Sequence, residues 1–339
     1  MGEYKFDYSV EKIEGKYKSM VDVPVLMLFF NRPTLLRQVF DKVREAKPSV
    51  LLLYQDGKRD NKENDEFLVA ECRKIVEEID WQCTVYKMYQ TKNYGCDPSG
   101  YMSRKWAFEI VDKCIVLEDD VVPSVSFFKF CKEMLDKYED DKRICRICGY
   151  NVLGEYNPYD SDYFFTKGGS IWGFALWKRV FDEWDTEYKF LNDPKVVECY
   201  KYTYKDAAVP CKTFLKTCDW HSKSGKEYFE SIYSSQRYLS SGLSVMPSKN
   251  MISNIGIAEE TTHGANNIKL LRKRTQELFF SKTHELEFPL KSPKYVLEDK
   301  RYEDLQADKM GWKNGPIKRF FGKVERLFRI IFYKYILKG

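Results

Sequence analysis

From position 23 the chain alternates two kinds of segment: short runs that are apolar at nearly every position, and longer stretches whose apolar residues recur at helical spacing. Val23 to Phe30 is the first such run. A strand that is apolar throughout, rather than at every second position, is buried on both faces, as in a parallel sheet covered by helices. Asn31, Arg32 and Pro33 break the run, and Thr34 is placed to cap a helix in which Leu35, Leu36, Val39, Phe40 and Val43 share a face. Val50 to Tyr54 is the next strand and stops at Gln55, Asp56 and Gly57. Residues 64–79 read as helix, Thr84 to Tyr89 as strand, 99–112 as helix and Cys114 to Leu117 as strand. Such alternation requires right-handed crossovers, so the expected fold is α/β, a mostly parallel sheet flanked by helices. Ligands of these sheets bind beyond the carboxyl ends of the strands. Asn31, Arg32, Asp56 and Asn93 all fall there.

The strand at Cys114 to Leu117 runs directly into Glu118, Asp119 and Asp120. Adjacent carboxylates repel, so a cation or strong hydrogen-bond donors must compensate them. Hard oxygen ligands suit Mn²⁺ or Mg²⁺, which are typically held by one or two carboxylates and completed by a substrate's phosphates. A solvated acidic loop is the plain alternative, and the convergence of polar residues at the other strand ends favours a site.

Beyond the triplet, Ser126 to Tyr138 reads as helix and Ile144 to Cys148 as strand, after which Gly, Asn, Pro and Tyr suggest a long loop over the sheet. There follow the aromatic stretch Ile171 to Trp177, a helix near 227–240, a turn and strand over Gly242 to Pro247, and the segment Asn254 to His263. Residues 1–22 read as an irregular lead-in. No repeat or low-complexity linker divides the chain, so one catalytic domain with an elaborated second half is expected. Ten cysteines are scattered without a framework and without a preceding signal peptide, which fits free thiols in a reducing cytosol. Cys145 and Cys148 form a CxxC with no second pair at zinc spacing, so they read as structural.

Residues 313–339 carry eight Lys or Arg against one Glu, so the net +5 of the chain is a +7 tail on a body of −2. The body is therefore not a nucleic-acid surface. Within the tail, Ile317, Phe320, Phe321, Val324, Leu327, Phe328, Ile331 and Tyr335 follow helical spacing, with Lys318, Arg319, Lys323, Arg326 and Arg329 between them. A basic amphipathic helix of this kind suits a membrane surface, and its charges prevent it from spanning one. A terminal helix packed on the domain is the alternative.

Taken in order, FFNRP, QDGKR, NYGC, LEDDVVPSVSFFKFC, IWGFALWKR, GLSVMP and NIGIAEETTH resemble bacterial glycosyltransferases of the GT-A superfamily, within the family-2-like group described as hemolytic-protein HlpA-like. The acidic triplet is similar to the EDD form of the DxD motif in N-acetylglucosaminyltransferase I. The resemblance spans roughly residues 23–265. It implies a GT-A (Rossmann-like) domain over 23–300, with a nucleotide-sugar half at 23–150 and an acceptor half at 151–300, followed by a linker and membrane-associating helix at 301–339. It further implies a Mn²⁺- or Mg²⁺-dependent, inverting transferase that takes a sugar from a nucleotide-sugar donor, UDP favoured, to a glycan or lipid-linked acceptor in bacterial surface polysaccharide synthesis. The protein would be cytoplasmic and peripheral on the inner face of the membrane.

Carried over by motif, Asp120 is the metal ligand, with His263 as a second candidate, and Glu118 and Asp119 hold ribose or a metal-bound water. Asp56 contacts base or ribose, Asn31, Arg32 and Asn93 line the nucleotide pocket, and Arg59 approaches the diphosphate. Trp172 and Gly173 wall the sugar site. Glu230 stands where the family has the Asp of a WDYQW-like segment and is the general base, with Glu227 a nearby competitor. Two other readings remain. A sugar-phosphate nucleotidyltransferase also uses such an acidic site, but would favour a glycine-rich phosphate loop where FFNRP stands. A non-enzymatic membrane-interacting protein explains the tail and leaves the triplet unexplained.

Overall fold

The computed structural model describes residues 6–205, 211–257, 268, 271–312 and 315–335. Its strands are β1 (Ser9–Ile13), β2 (Val21–Phe29), β3 (Pro48–Gln55), β4 (Cys83–Tyr89), β5 (Lys113–Glu118), β6 (Val121–Pro123), β7 (Ile144–Cys148), β8 (Tyr163–Thr166), β9 (Phe174–Trp177), β10 (Leu243–Pro247) and β11 (Ile252–Asn254). The helices are α1 (Pro33–Ala46), α2 (Asp65–Val76), α3 (Cys96–Ile110), α4 (Ser126–Lys137), α5 (Lys178–Phe181), α6 (Pro194–Thr203), α7 (Cys211–Ser222), α8 (Phe229–Leu239), α9 (Lys273–Gln276), α10 (Lys300–Met310) and α11 (Pro316–Tyr335).

Among the described residues one large sheet has the order β1-β4-β3-β2-β5-β9-β7-β10-β8, and β6 pairs separately with β11. The pairings among β4, β3, β2 and β5 are parallel, which is the Rossmann-like order in which the first strand lies between the second and the fourth. Past β5 the sheet is mixed: β9 runs antiparallel to both β5 and β7, β10 is parallel to β7, and β8 is antiparallel to β10. The fold is thus α/β, with a sheet that is parallel throughout from β4 to β5 and mixed beyond it. The acidic triplet leaves β5 at the boundary between the two halves.

The unbroken apolar runs have a direct explanation. In β2, Val25 and Met27 join a core with Leu36, Val39 and Phe40 of α1 and Phe127 and Phe128 of α4, whereas Leu26 between them joins Met102 and Trp106 of α3 on the opposite face. β2, β3 and β5 each feed two cores in this way, and burying apolar area on both sides is the main drive for this part of the sheet. A third, aromatic cluster of Tyr188, Tyr200, Tyr204, Phe214 and Ile232 sits under α6, α7 and α8.

Several local expectations are corrected. Residues 9–13 of the lead-in form an edge strand antiparallel to β4, held by main-chain bonds with almost fully exposed side chains, so no hydrophobic alternation marks them. Thr34 does not cap α1: Pro33 opens the helix with its preset φ, Arg32 occupies the cap position, and no side chain bonds the exposed amides. The loop after Gly149 contains β8, and Ile171 to Trp177 divides into a loop and β9. All ten cysteines are free, and Cys145 and Cys148 are buried in β7.

Candidate active site

At the end of β5 the triplet is compensated by a protein cation. Arg32, held at the start of α1, pairs through Nη2 with Asp119 Oδ1 and through Nη1 with Asp120 Oδ2 at 3.0 Å. Asp119 Oδ2 also accepts from the Phe30 N–H at 3.3 Å and Arg32 Nε at 3.4 Å. Burial opposes the charge on Arg32, but the two carboxylates outweigh it and hold its pKa above the ordinary value. Asp120 is different. Burial raises its pKa, Arg32 pulls it back, and Asp119 adds repulsion. Its Oδ1 is buried without a hydrogen-bond partner. The segment after β11 closes on this carboxylate: Ile255 N–H donates to the Asp120 carbonyl at 2.8 Å, and at Gly256 a Cβ would lie 2.1 Å from Asp120 Oδ2. Glycine is required there by a close approach, in the NIGI segment singled out from sequence.

The residues at the ends of β3 and β4 brace one another. Asp56 Oδ1 accepts from the Gly57 and Tyr94 N–H groups and Oδ2 from that of Gly95, all at 2.9 Å. Burial raises its pKa and these three amides pull it down. Asn93 Nδ2 donates to the Gly57 carbonyl at 2.7 Å, completing the brace. Arg59 makes a two-pronged pair with Asp65 at 2.7 and 2.8 Å, and Asn31 donates to the same carboxylate at 2.7 Å. These bonds hold Asp65 below the usual carboxylate range, the Arg59 hydrogen bond first among the causes. Asp65, which organises both Arg59 and Asn31, carried no sequence signal beyond its place at a helix start.

Glu118 points to the other side of the strand, toward α3 and α8. Its side chain is 31% exposed. Burial, then repulsion from Asp120, pushes its pKa up to about 7, with Arg104 acting in the opposite direction. Arg104 of α3 is entirely buried. Its Nη1 donates to the Gly100 carbonyl at 2.5 Å, and its guanidinium carbon lies 4.3 Å from the Phe229 ring centre and 5.5 Å from that of Phe174. Nε and Nη2 have no hydrogen-bond partner, and Nη2 is 3.8 Å from Glu118 Oε1. Arg104 was missed in the sequence because it reads as one more polar position on a helix.

Helices α3 and α8 meet at Gly100, where a Cβ would stand 2.5 Å from the Phe229 ring. That contact brings Glu230, exposed in the first turn of α8, near enough for its charge to act on both Glu118 and Arg104. Glu230 also lines a cavity of about 760 Å³ between the 167–172 loop, α8 and α10, a size suited to a small organic ligand. The loop is built on buried Arg146, which donates to the carbonyls of Gly168 and Ser170 at 3.2 Å and to Ser244 Oγ at 3.1 Å. Trp172 forms part of the wall, edge-on to Tyr150 at 4.9 Å. Gly173 is needed for its φ of +60° and for a contact in which a Cβ would lie 2.4 Å from Ile252. His263 lies outside the described residues.

Among the described residues no three His, Cys, Asp or Glu side chains form a metal-holding group. A dedicated cage is thus not formed there. The buried, unfilled Oδ1 of Asp120 does fit an ion held by one carboxylate and completed by a ligand's phosphate oxygens.

No protein-family model matches the chain, and no curated protein matches it. Among solved structures it is similar to the structure titled UDP-glucose pyrophosphorylase complexed with UDP-glucose, at 14% identity over 48% of this chain and 78% of that one, with a TM-score of 0.29. So slight a likeness carries no functional argument.

Proposed function

We propose that this protein is a glycosyltransferase that moves a sugar from a nucleoside-diphosphate donor to a hydroxyl of a glycan or lipid-linked acceptor. The observation that carries the reading is the pairing of an acidic strand terminus, with the unfilled Asp120 Oδ1, and a neighbouring cavity rimmed by Glu230. Asp120 would hold Mn²⁺ or Mg²⁺, and the bound cation supplies neutralisation of the charge that grows on the diphosphate as the glycosidic bond breaks. Arg32 pairs with both Asp119 and Asp120 and holds them at the strand end. Trp172, Tyr204 and Tyr238 give the cavity aromatic walls suited to sugar C–H faces. Glu230 takes the proton from the acceptor hydroxyl as its oxygen attacks the anomeric carbon opposite the diphosphate, so one C–O bond forms as another breaks and configuration inverts.

The second reading is nucleotidyl transfer, and local geometry at one strand end argues against it. The turn after β2 offers Asn31, Arg32 and Pro33 instead of a glycine-rich cradle, and Arg32 is already committed to Asp119 and Asp120.

Calorimetry with UDP and GDP, with and without Mn²⁺, tests the reading on the wild type, Asp120→Asn and Glu230→Gln. The expected result is Mn²⁺-dependent binding of one nucleotide, at least about tenfold weaker in Asp120→Asn. Glu230→Gln should retain that binding while losing about 10²- to 10⁴-fold in transfer. Absence of nucleotide binding under all conditions overturns the proposal. So does release of pyrophosphate from a nucleoside triphosphate and a sugar 1-phosphate.

A further inference from the structure

Helix α11 is joined to the body along the wrong edge for a packed terminal helix. Glu325 accepts from the Lys273 N–H at 2.9 Å and from Arg329 Nε at 3.0 Å, and at Gly322 a Cβ would lie 2.4 Å from Arg272 Nη1. Gly322, Glu325 and Arg329 fall three, four and seven residues apart, so they form one stripe, and that stripe is polar. The apolar side chains lie on another. Phe321 and Phe328 are 64% and 67% exposed, and Leu327, Ile331 and Phe332 are exposed beside them. An amphipathic helix that uses its core against its own domain does the reverse. Exposure of five large apolar side chains on one helix face therefore marks a surface for something else.

Charge identifies the occupant. Residues 316–335 hold six Lys or Arg and one Glu, and that Glu is engaged with Arg329 and the body. Lys323 and Arg326 are exposed on the turns that carry Phe321, Leu327 and Phe328. A second copy of this helix would set like charges against each other, whereas anionic lipid headgroups oppose the cations and admit the phenylalanines into the acyl boundary. No described helix is long and apolar enough to cross a membrane. We infer that α11 lies flat on an anionic lipid surface, inserting Phe321, Leu327, Phe328, Ile331 and Phe332, while its Gly322–Glu325–Arg329 edge stays on the protein.

This placement has a consequence for the cavity. Trp312, in the cavity wall, is separated from Pro316 by only three residues, so a helix seated on lipid keeps the cavity close to the headgroups. That favours a lipid-linked acceptor. The docking itself does not depend on the transfer reading.

The test is sedimentation of the full chain with phosphatidylcholine vesicles, with and without phosphatidylglycerol, alongside gel filtration with light scattering. The expected result is binding only to the anionic vesicles, weakened by salt, and reduced about fivefold by Arg326→Gln. Phe321→Ser combined with Phe328→Ser should reduce it at least about tenfold, while nucleotide binding is unchanged. Equal binding to neutral and anionic vesicles overturns the inference. So does failure to bind vesicles, or a dimer that the double variant converts to monomer, which would show that a second copy covers the face. Nucleotide binding reports separately on the transferase reading, so the two can fail independently.

Discussion

Replacing Arg104 by Met should leave the fold about as stable as before while removing function, although the side chain is entirely buried. The variant loses one charge-assisted hydrogen bond, to the Gly100 carbonyl, worth about 1.5–3 kcal/mol. It loses stacking against Phe229 and Phe174, about 1–2 kcal/mol. The pair with Glu118 spans 3.8 Å to a partly exposed carboxylate and adds about 1 kcal/mol at most. Against this stands the cost of keeping a guanidinium out of water with two donors unmatched, about 4–6 kcal/mol. The two sides cancel within about 2 kcal/mol, and Met refills the stem's volume between the rings. Breaking a well-matched buried pair would instead cost about 3–5 kcal/mol. Urea unfolding followed by tryptophan fluorescence gives the stability, and donor turnover gives the function. Turnover should fall at least about tenfold, because Glu118 then faces Asp120 without its cation, and Arg104→Lys should recover part of it by restoring the charge without the fork. A stability loss above about 4 kcal/mol refutes the reasoning, since it would mean that the donors are matched and Arg104 holds the fold. Unchanged turnover would refute the functional half.

Two further substitutions separate structural carboxylates from ligand-binding ones. Asp56→Asn must turn its amide toward at least one of the Gly57, Tyr94 and Gly95 N–H groups, leaving that donor unmatched, but it escapes the burial penalty that raises the carboxyl pKa. The net cost should be about 2 kcal/mol by urea unfolding, with nucleotide affinity changed only as far as the 93–95 turn shifts; a large affinity loss at unchanged stability would instead make Asp56 a direct contact. For Asp65 the pKa is depressed by Arg59, so its contribution is present above the ordinary value of 3.8 and is lost as pH falls through the folded value. Asp65→Asn should cost about 2 kcal/mol at pH 7 and the gap should close below about pH 4; a gap that widens on acidification would show that the pair with Arg59 is not what stabilises the carboxylate.

The parts of this fold that were legible in the sequence are those in which burial is two-sided. β2, β3 and β5 show as continuous apolar runs because alternate residues serve different cores, and β7 was found at its full extent because all five of its residues are buried. β1 was missed because its stability is main-chain pairing at an exposed edge, which leaves no side-chain pattern. β8 and β9 are four residues each, too short for a period to register, and their positions depend on partners far away in sequence. The site divides in a similar way. The triplet announces itself because consecutive acids after an apolar run are costly. Pairing partners do not announce themselves: nothing local in FFNRP says that Arg32 spans to Asp119 and Asp120, or that Arg59 is tied to Asp65.

The engagement of Arg32 alters how a cation would enter this site. The resemblance made Arg32 a lining residue of the nucleotide pocket, gave Asp120 to the metal, and gave Glu118 and Asp119 to ribose or a metal-bound water. In the structure Arg32 already offsets half of the charge of an ionised Asp119–Asp120 pair, so a divalent ion arriving there meets a site carrying about one surplus negative charge from the pair. Asp119 is saturated by Arg32 and the Phe30 amide, which leaves Asp120 Oδ1 as the open oxygen of the pair. One open carboxylate oxygen binds a hard cation weakly alone, because most of the ion's shell must come from water. It binds the same ion more firmly when a diphosphate brings its own oxygens and charge. Under the proposed function, the ion would therefore arrive with a nucleotide rather than wait in the protein without one. In calorimetry, Mn²⁺ alone should give little heat, Mn²⁺ with the correct nucleotide a large signal, and each should tighten the other by the same factor. Tight binding of Mn²⁺ to the protein without nucleotide would mean that Arg32 leaves the pair and that both carboxylates turn to the metal.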